Sequence, residues 1–388
     1  MKKRIFIVDH QSYNSLALYD RSMIQDIRDF DFYFFGNYKN QYLPKNENVR
    51  FFPVFKYNKH SNIAAKVFSY IRSLLTICFY GIKLRPSIIH LQWIRIWKFE
   101  WNMIRFFHGV LKAKTVFTVH NILPHNSLIS KNIKKLKSRY GKLYRYCDRL
   151  IVHTETSKKE LIREFDIPAD KIVVMPHGVI ELPISDNEIK ESAERLEKEH
   201  KFGDKLIFAA LGAQSYYKGP DLLVEAWLNN PELRDNKNLI LLIAGRPIDS
   251  VYPENLPDNV VIISETVSNP DFKYLMRRSD VIVLPYRAID QSGLLLTLIM
   301  DSKPYCCTPV GELCKPIEKE RIGWVIPRID AEAIEETLLK ILKDPAVIKE
   351  IQDKKESWER LQQDYSWTRS NRILDKLYNS LISCDDLQ

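Results

Sequence analysis

The sequence is poor in the features that mark zinc sites, disulfide frameworks and membrane spans. Its six cysteines, at positions 78, 147, 306, 307, 314 and 384, show no CxxC spacing with a partner histidine, which argues against both a zinc site and disulfides. The most apolar run, Ser73–Ile82, is about half as long as a spanning helix, so we predict no transmembrane helix. Asp9 interrupts the short N-terminal apolar run, which is not typical of a signal peptide. A reducing, cytoplasmic location is therefore expected.

Several nucleotide-binding and nucleophile motifs are also missing. The first predicted strand, Arg4–Val8, is followed by DHQSYN rather than by GxGxxG, so dinucleotide redox chemistry is not expected. The chain has no GxxxxGKS or GxxxxGKT and no GxSxG, which removes P-loop and α/β-hydrolase chemistry. No pair of carboxylates flanks a candidate sugar site, which argues against a hydrolase that uses two carboxyl groups.

Positive charge is concentrated in the first half of a chain whose net charge is +9. Residues 1–180 carry 31 Lys and Arg against 13 Asp and Glu, whereas the remainder carries 27 against 36. This asymmetry indicates a basic face for an anionic partner, which is a membrane, a nucleic acid or a phosphorylated substrate. Because no nucleic-acid-binding module is recognised, no nucleic-acid partner is expected.

Predicted strands and helices alternate along the chain in two series. The first series fills residues 1–183, and the second begins after the polar segment Ser185–Phe202. Such alternation predicts an α/β fold with parallel sheets covered on both faces. We expect one domain over 1–183, completed by a C-terminal helix at about 366–388, and a second over 184–365. Ligands should bind at the carboxyl ends of the strands, in a cleft between the domains.

One strand-to-helix loop is a candidate anion site. The strand VIVLP ends at Pro285, a polar loop closes with Ser292 and Gly293, and the apolar run Leu294–Met300 follows. Free N–H groups at a helix N-terminus attract anions, Ser292 offers a hydroxyl, and Gly293 lets a ligand approach the backbone. The alternative is an ordinary strand-to-helix turn.

A matching loop in the same half carries Lys218, just before Gly219 and Pro220 at a predicted helix start. A lysine there can pair with a phosphate as a point charge, and a solvated loop lysine is the alternative. Arg246, after the strand LLIAG, is a third candidate or a surface charge.

In the first half, His120 ends the strand TVFTV. It can contact a sugar hydroxyl or simply cap the strand. Asn14, Asn121 and His125 are weaker candidates for contacts with the sugar or the acceptor.

Two helical segments are candidates for a membrane surface. The basic segment Ser130–Tyr146 has apolar residues between its cations, a combination that suits an anionic bilayer, although most charged faces are merely solvated. Its membrane-facing candidates are Lys134, Lys135, Lys137 and Arg139. The second segment is Ser61–Leu84, whose aromatic and aliphatic side chains either join this surface or fill the core.

Eight short segments are shared with one enzyme family. They are IIHLQW at 88–93, TVHN at 118–121, VVMPHGV at 173–179, YKGPDLLVEAW at 217–227, LLIAG at 241–245, SDVIVLPYRAIDQSGLLL at 279–296, TPVGEL at 308–313 and GWVIP at 323–327. With them the chain resembles glycosyltransferase family 4, in the subgroup with a QSG loop. The resemblance covers nearly the whole chain and implies the GT-B fold, in which two Rossmann-like domains with parallel sheets face each other across a cleft.

The resemblance also implies an activity. Such enzymes transfer a sugar from a nucleoside-diphosphate donor with retention of anomeric configuration and without a metal or other cofactor. By this resemblance, His120 contacts the donor sugar and Lys218 the diphosphate, as catalytic residues. The donor-binding residues are then Lys218, Arg246, Asp290, Gln291, Ser292, Gly293 and Leu294.

Two positions depart from the family pattern. Ala213 stands where relatives often carry Arg, and Asp290 and Leu298 replace two glutamates with seven residues between them. The second glutamate commonly holds the nucleotide ribose, so ribose recognition stays open.

We therefore expect a retaining glycosyltransferase in bacterial surface polysaccharide assembly, such as capsule, O-antigen or exopolysaccharide. Its acceptor would be a lipid-linked or other saccharide at the inner face of the cell membrane. The alternatives are a soluble transferase with a protein or small-molecule acceptor and an inactive scaffold with this fold.

Overall fold

The computed structural model shows two α/β units. It describes residues 2–13, 15–44, 46–56, 62–123, 132–179, 181, 183–289 and 292–383. The first unit comprises Met1–Gly178 and Tyr365–Gln388, and the second comprises Val179–Asp364. Asn14, His125, Asp290 and Gln291, which the sequence analysis singled out, lie outside the described residues.

Each unit is built on one sheet. The strands of the first sheet are β1 (Lys3–Val8), β2 (Phe30–Asn37), β3 (Val49–Phe55), β4 (Ile88–Leu91), β5 (Lys114–Thr118), β6 (Arg149–Val152) and β7 (Ile172–Val174). The strands of the second sheet are β8 (Leu206–Leu211), β9 (Leu239–Ala244), β10 (Val260–Ile263), β11 (Val281–Leu284), β12 (Tyr305–Cys307) and β13 (Gly323–Val325).

Helices connect these strands. Those of the first unit are α1 (Ser15–Ile24), α2 (Ile63–Leu84), α3 (Trp97–Arg105), α4 (Ile133–Tyr146) and α5 (Glu155–Phe165). Those of the second are α6 (Asp186–His200), α7 (Pro220–Asn229), α8 (Pro231–Arg234), α9 (Asn269–Arg278), α10 (Gly293–Met300), α11 (Lys315–Glu320), α12 (Ala331–Lys343), α13 (Ala346–Gln352) and α14 (Lys355–Asp364). The last helix, α15 (Trp367–Ser383), belongs to the first unit.

Both sheets are parallel and share one type of topology. The strand order is β3-β2-β1-β4-β5-β6-β7 in the first unit and β10-β9-β8-β11-β12-β13 in the second. Every recorded strand pair is parallel. The expected α/β architecture of two Rossmann-like parallel sheets is confirmed.

Alternating side chains give the first sheet two apolar faces. Phe6 joins the core under α2, α3, α4 and α5, whereas its neighbours Ile5 and Ile7 join the core under α1 and α15. The helix α15 covers this second face with Leu374 and Tyr378, and the Tyr378 hydroxyl lies 2.6 Å from His90 Nδ1. A sheet buried on both faces fits its near-continuous apolar strands.

The basic helix α4 is buried differently from what the sequence predicts. The apolar residues Leu143 and Tyr144 of α4 are fully buried in the core, and the Tyr144 hydroxyl donates to the carbonyl of Ile122. The prediction that the apolar residues of α4 face a bilayer is therefore wrong for these two. The cations Lys134, Lys135, Lys137 and Arg139 are exposed, although Lys137 pairs with Glu164 at 3.1 Å.

The helix α2 is longer than its apolar run suggests. It extends over 22 residues and, of the described helices, it alone is long and apolar enough to cross a membrane by length and composition. A core helix of a soluble protein passes the same test. One face of α2 does join the core, through Tyr70, Leu74 and Ile77.

Candidate functional site

The loops of the second unit that were predicted to bind phosphate meet at one place in the sheet. The strand order reverses at the neighbouring strands β8 and β11, because β9 lies on one side of β8 and β12 on the other side of β11. The loop with Lys218 follows β8, and the loop with Ser292 follows β11. In open parallel sheets, ligands bind beyond the carboxyl ends of the strands at such a reversal.

Lys218 lies at this point and has no counter-ion among the described residues, which do not include Asp290 and Gln291. Among the described residues, its Nζ atom has no hydrogen-bond or ion-pair partner, and it lies 5.8 Å from the ring centroid of Tyr286. The side chain lines a pocket with Gly212, Ala213 and Gln214 at the end of β8. Burial lowers the pKa of Lys218 because the charged form loses solvation. An anion in this pocket would restore the lost solvation of the ammonium group.

Two glycines allow the loops to approach each other. Gly219 has a φ of +64°, and a Cβ atom there would lie 2.1 Å from the carbonyl oxygen of Pro285. Gly245 has a φ of +147°, and its Cβ would lie 1.9 Å from the carbonyl oxygen of Gly212. Larger residues fit neither position, so these glycines fix the spacing of the loops.

An ion pair fastens the Lys218 loop to the loop after β11. Arg287 contacts both carboxylate oxygens of Asp221, at 2.8 and 2.6 Å. The same guanidinium donates to the Tyr216 carbonyl and lies 4.0 Å from the Tyr216 ring centroid. The backbone N–H of Arg287 donates to the carbonyl of Tyr217. These contacts hold both phosphate-site loops in one arrangement.

A buried glutamine fastens two further loop ends. The Gln214 amide nitrogen donates to the carbonyls of Gly245 and Ile263, which follow β9 and end β10. Its amide oxygen accepts from the Ser264 hydroxyl. The roles of Gln214, Arg287 and Asp221 were not predicted from the sequence, because single polar residues in loops or at a helix start carry no periodic signal.

Ser292 and Gly293 form the start of α10. The Ser292 side chain accepts a long hydrogen bond of 3.4 Å from the N–H of Leu295, so it caps the helix. Among the described residues, a Cβ atom on Gly293 would have no neighbour within 4 Å. No other described side chain therefore crowds this glycine, and the first turn carries no acidic residue. Both properties suit an anionic ligand.

The remaining donor-site candidates of the second unit have different environments. Arg246 is exposed, and Leu294 is half-buried beside Gly293. Leu298 is fully buried in α10 and offers no polar group to a ribose.

In the first unit, the carboxyl ends of β4, β5, β6 and β7 bring together histidines and aromatic rings. His120 stacks on Trp93, with centroids 4.4 Å apart and planes 10° apart. The side-chain amide of Gln92 lies 3.0 Å from His120 Nε2, and His153 Nε2 lies 3.4 Å from His120 Nδ1. Asn121, the next residue, is half-buried.

The contacts of His153 order the protons on both rings. His153 Nδ1 lies 2.9 Å from the carbonyl oxygen of Met175, so this nitrogen donates. In the neutral ring, His153 Nε2 then accepts from His120 Nδ1, which leaves His120 Nε2 unprotonated. The Gln92 amide oxygen faces that atom, so this order of protons requires the amide to be turned until its nitrogen faces His120 Nε2.

Burial keeps these rings neutral. It lowers the pKa of His153 to about 4 and that of His120 well below its usual value, because the charged imidazolium loses solvation. His177 joins the cluster, and burial lowers its pKa to about 3. The Tyr19 ring contacts all three imidazoles, with centroids 4.9 to 5.6 Å away.

A pair of buried carboxyl groups lies at the end of β1 and in α1. Burial raises the pKa of Asp9 to about 7, and burial together with the nearby Asp9 raises that of Asp20 well above its usual value. The pair therefore holds a proton at neutral pH. Within the described ranges, no group of three or more His, Cys, Asp or Glu is placed to hold a metal ion.

The fold and these loop ends define a class of proteins. A sucrose-phosphate synthase from Thermosynechococcus elongatus matches with a TM-score of 0.72 and 16% identity, covering 99% of this chain and 100% of that chain. Anabaena HepE in complex with UDP and glucose matches with a TM-score of 0.68 and 13% identity, covering 98% and 100%. A trehalose-phosphate synthase from Burkholderia vietnamiensis matches at 0.64 and 12%, covering 98% and 100%. The fold is that of GT-B glycosyltransferases.

Two family models match the sequence of the chain. The model described as Glycosyltransferase Family 4 matches residues 28–180, and the model described as Glycosyl transferases group 1 matches residues 191–359. The chain belongs to this glycosyltransferase family and is a transferase.

Among curated proteins, the chain is similar to two D-inositol 3-phosphate glycosyltransferases. The one from Saccharomonospora viridis is 24% identical over 253 residues, which are 61% of this chain and 56% of the relative. The one from Streptomyces avermitilis is 23% identical over 277 residues, or 66% and 56%. The match spans little more than half the length of either relative.

Proposed function

We propose that this transferase moves a sugar from a nucleoside-diphosphate donor to a lipid-linked or other saccharide acceptor, with retention of anomeric configuration. The reaction would serve bacterial surface polysaccharide assembly at the inner face of the cell membrane. The second unit would bind the donor and the first the acceptor. No metal or other cofactor is needed in this proposal.

The observation that carries the proposal is the unpaired Lys218 beside the open start of α10. When a sugar leaves a nucleoside diphosphate, negative charge develops on the β-phosphate. Lys218, the Ser292 hydroxyl and the N–H groups of the first turn of α10 are donors already held in place. Such preorganised donors stabilise the departing charge more than water does.

The neutral imidazole of His120 gives the first unit a different role. A hydroxyl group of the sugar or acceptor would replace Gln92 as the hydrogen-bond donor to its unprotonated Nε2. Stacking on Trp93 holds the ring in place for such a contact.

The nucleotide is tested by thermal shift with UDP-, GDP-, ADP- and dTDP-sugars in the presence of EDTA. Because a ligand that binds only the folded protein raises its stability, one nucleotide class should raise the unfolding temperature. UDP-sugars are tried first, since the similar HepE was solved with UDP and glucose. Release of nucleoside diphosphate from the same donor then tests catalysis. No shift with any donor and no release would refute the proposal and favour an inactive scaffold.

A second candidate acceptor is a small phosphorylated sugar or polyol. It is favoured by the names of the similar proteins, which include D-inositol 3-phosphate glycosyltransferase and sucrose-phosphate synthase. A screen of soluble sugar and inositol phosphates with the donor found above distinguishes the two. Turnover with a soluble phosphate that matches turnover with lipid-linked saccharides would favour this second candidate.

A further inference from the structure

We propose that the outer face of α2, with the adjoining pocket between α3 and α4, docks on an anionic phospholipid bilayer. This inference rests on the proposed membrane location and assigns it to particular residues. We call the exposed apolar residues Phe68, Leu75, Phe79 and Ile82 the α2 ridge. The pocket is lined by Trp101, Arg105, Lys142, Arg145 and Tyr146.

The α2 ridge is a continuous apolar surface. Its four side chains are 58% to 71% exposed. Their spacings of seven, four and three residues place them on one side of the helix. Among the described residues, the other large exposed apolar side chains are mostly scattered through both units. A concentration of this kind marks an interaction surface.

The buried face of α2 shows that the helix would lie along a bilayer rather than cross it. The Ser73 hydroxyl donates to the carbonyl of Val54 in β3 at 2.7 Å. Gly81 is so close to Phe107 that a Cβ atom would lie 2.7 Å from its ring. Crossing the membrane would break these contacts and expose the sheet. The helix has the length and apolarity of a span, but it is fixed in the first unit.

The charges next to the ridge favour an anionic surface. The helix α2 carries Lys66, Arg72 and Lys83 and no acidic residue. In the pocket, the ammonium group of Lys142 lies 4.8 Å from the Trp101 ring centroid. Aromatic rings with adjacent cations are typical of the interface between lipid headgroups and acyl chains. Each basic residue near an anionic bilayer adds to the attraction.

A second copy of the chain fits this surface less well. In a symmetric dimer, the same patch of each copy meets its counterpart. Arg72 and Lys83 of both copies would then approach each other without an acidic partner on α2. A bilayer would instead bury the apolar α2 ridge, and its anionic headgroups would neutralise the neighbouring basic residues.

Vesicle flotation at low salt tests the assignment. The parent protein should float with vesicles of phosphatidylcholine containing about a third phosphatidylglycerol, and much less with phosphatidylcholine alone. Phe68→Ser combined with Phe79→Ser should lower the bound fraction about tenfold. Arg105→Ala combined with Lys142→Ala should lower binding only to the anionic vesicles. The matched control is Val251→Ser, which removes an equally exposed apolar side chain from the second unit and should change nothing.

The outcomes separate this inference from the proposed function. Equal flotation of the parent and the ridge variant would overturn the inference. So would a parent dimer that the ridge variant converts to a monomer without any flotation. In either case, release of nucleoside diphosphate by the parent would leave the transferase proposal standing. Conversely, flotation without donor turnover would support the surface and refute the activity.

Discussion

The polar groups at the carboxyl ends of the two sheets differ in their charge and in their hydrogen-bond partners. In the second unit, Lys218 is partly buried with no counter-ion among the described residues, and its loop adjoins the one that leads to the start of α10. In the first unit, burial keeps the rings of His120 and His153 neutral, and they hydrogen-bond to each other. The described partners thus leave the charge of Lys218 unpaired, whereas the two imidazoles pair with each other.

This difference leads us to expect different roles for the two units. A site that keeps a cation desolvated gains stability when a diphosphate enters, so binding and leaving-group stabilisation use the same group. A neutral imidazole has no such charge to offer and instead directs hydroxyl groups by hydrogen bonds. We therefore expect the second unit to perform the chemistry that involves net charge.

The largest effect is expected from removing the charge of Lys218 in the second unit. Lys218→Ala should lower sugar transfer at least about a hundredfold, because one preorganised donor to a developing anion is worth that much. The unfolding temperature should not fall, since the variant removes a buried, unpaired ammonium group. Steady-state kinetics and calorimetry measure both. Lys237→Ala, at an exposed lysine of the same unit, is the control, and an unchanged rate in Lys218→Ala would remove this residue from the mechanism.

A smaller effect is expected from filling the open space at the start of α10. Gly293→Ala should weaken donor binding about tenfold, because a methyl group would stand where the diphosphate approaches the backbone. It should also raise the unfolding temperature slightly, since alanine is the better helix former. Gly109→Ala in the first unit, where a Cβ also meets nothing, should leave donor affinity unchanged. Titration calorimetry with the donor measures the affinity of both variants and so distinguishes a binding role of Gly293 from a structural one.

The ion pair that joins the two loops of the donor site should matter less. Asp221→Asn should lower kcat/KM about fivefold, because Arg287 loses its charged partner and the loops lose their fixed spacing. The control is Asp235→Asn in the exposed pair with Arg234, which should have no effect. Equal behaviour of the two variants would show that the clamp does not position the site.

The smallest effect is expected in the neutral cluster of the first unit. His153→Gln should lower activity at pH 7 about threefold, because His120 loses the acceptor that fixes its tautomer. Its effect on stability should shrink as pH falls from about 6.5 to 4. In that range, the unfolded histidine binds a proton that the folded ring, with its pKa of about 4, does not, so the parent loses more stability than the variant.

Melting curves of both proteins at several pH values measure this difference, and 15N NMR of the histidines reports the tautomer of His120. A constant stability difference, or a proton on His120 Nε2, would contradict the proposed hydrogen-bond order.

The pattern of the sequence predicts the two sheets well and the contacts between loops poorly. Strand–loop–helix alternation and the Ser-Gly start of α10 are local signals, so the parallel sheets and the position of Ser292 follow from them. The pair of Asp221 and Arg287 joins residues 66 positions apart, and nothing local predicts it. The same holds for His153, whose role depends on a neighbouring strand.

Apolar periodicity also fails to say which helix face is covered. In α4, the apolar residues Leu143 and Tyr144 are buried and the cations are outside. In α2, apolar residues occupy both faces, so that Tyr70 is buried while Phe79 is exposed. Which face meets the core depends on neighbouring elements and not on the helix alone.

The return of α15 to the first unit has a consequence for the order of synthesis. The chain is synthesised from its N-terminus, so residues 179–364 are made before Trp367–Ser383. Until α15 has been made, it cannot cover its face of the first sheet. Throughout that interval, the sheet residues that pack against Leu374 and Tyr378 stay uncovered. The second unit can therefore fold while the first still awaits its last helix, and a nascent chain stalled before residue 367 presents an apolar sheet face to chaperones.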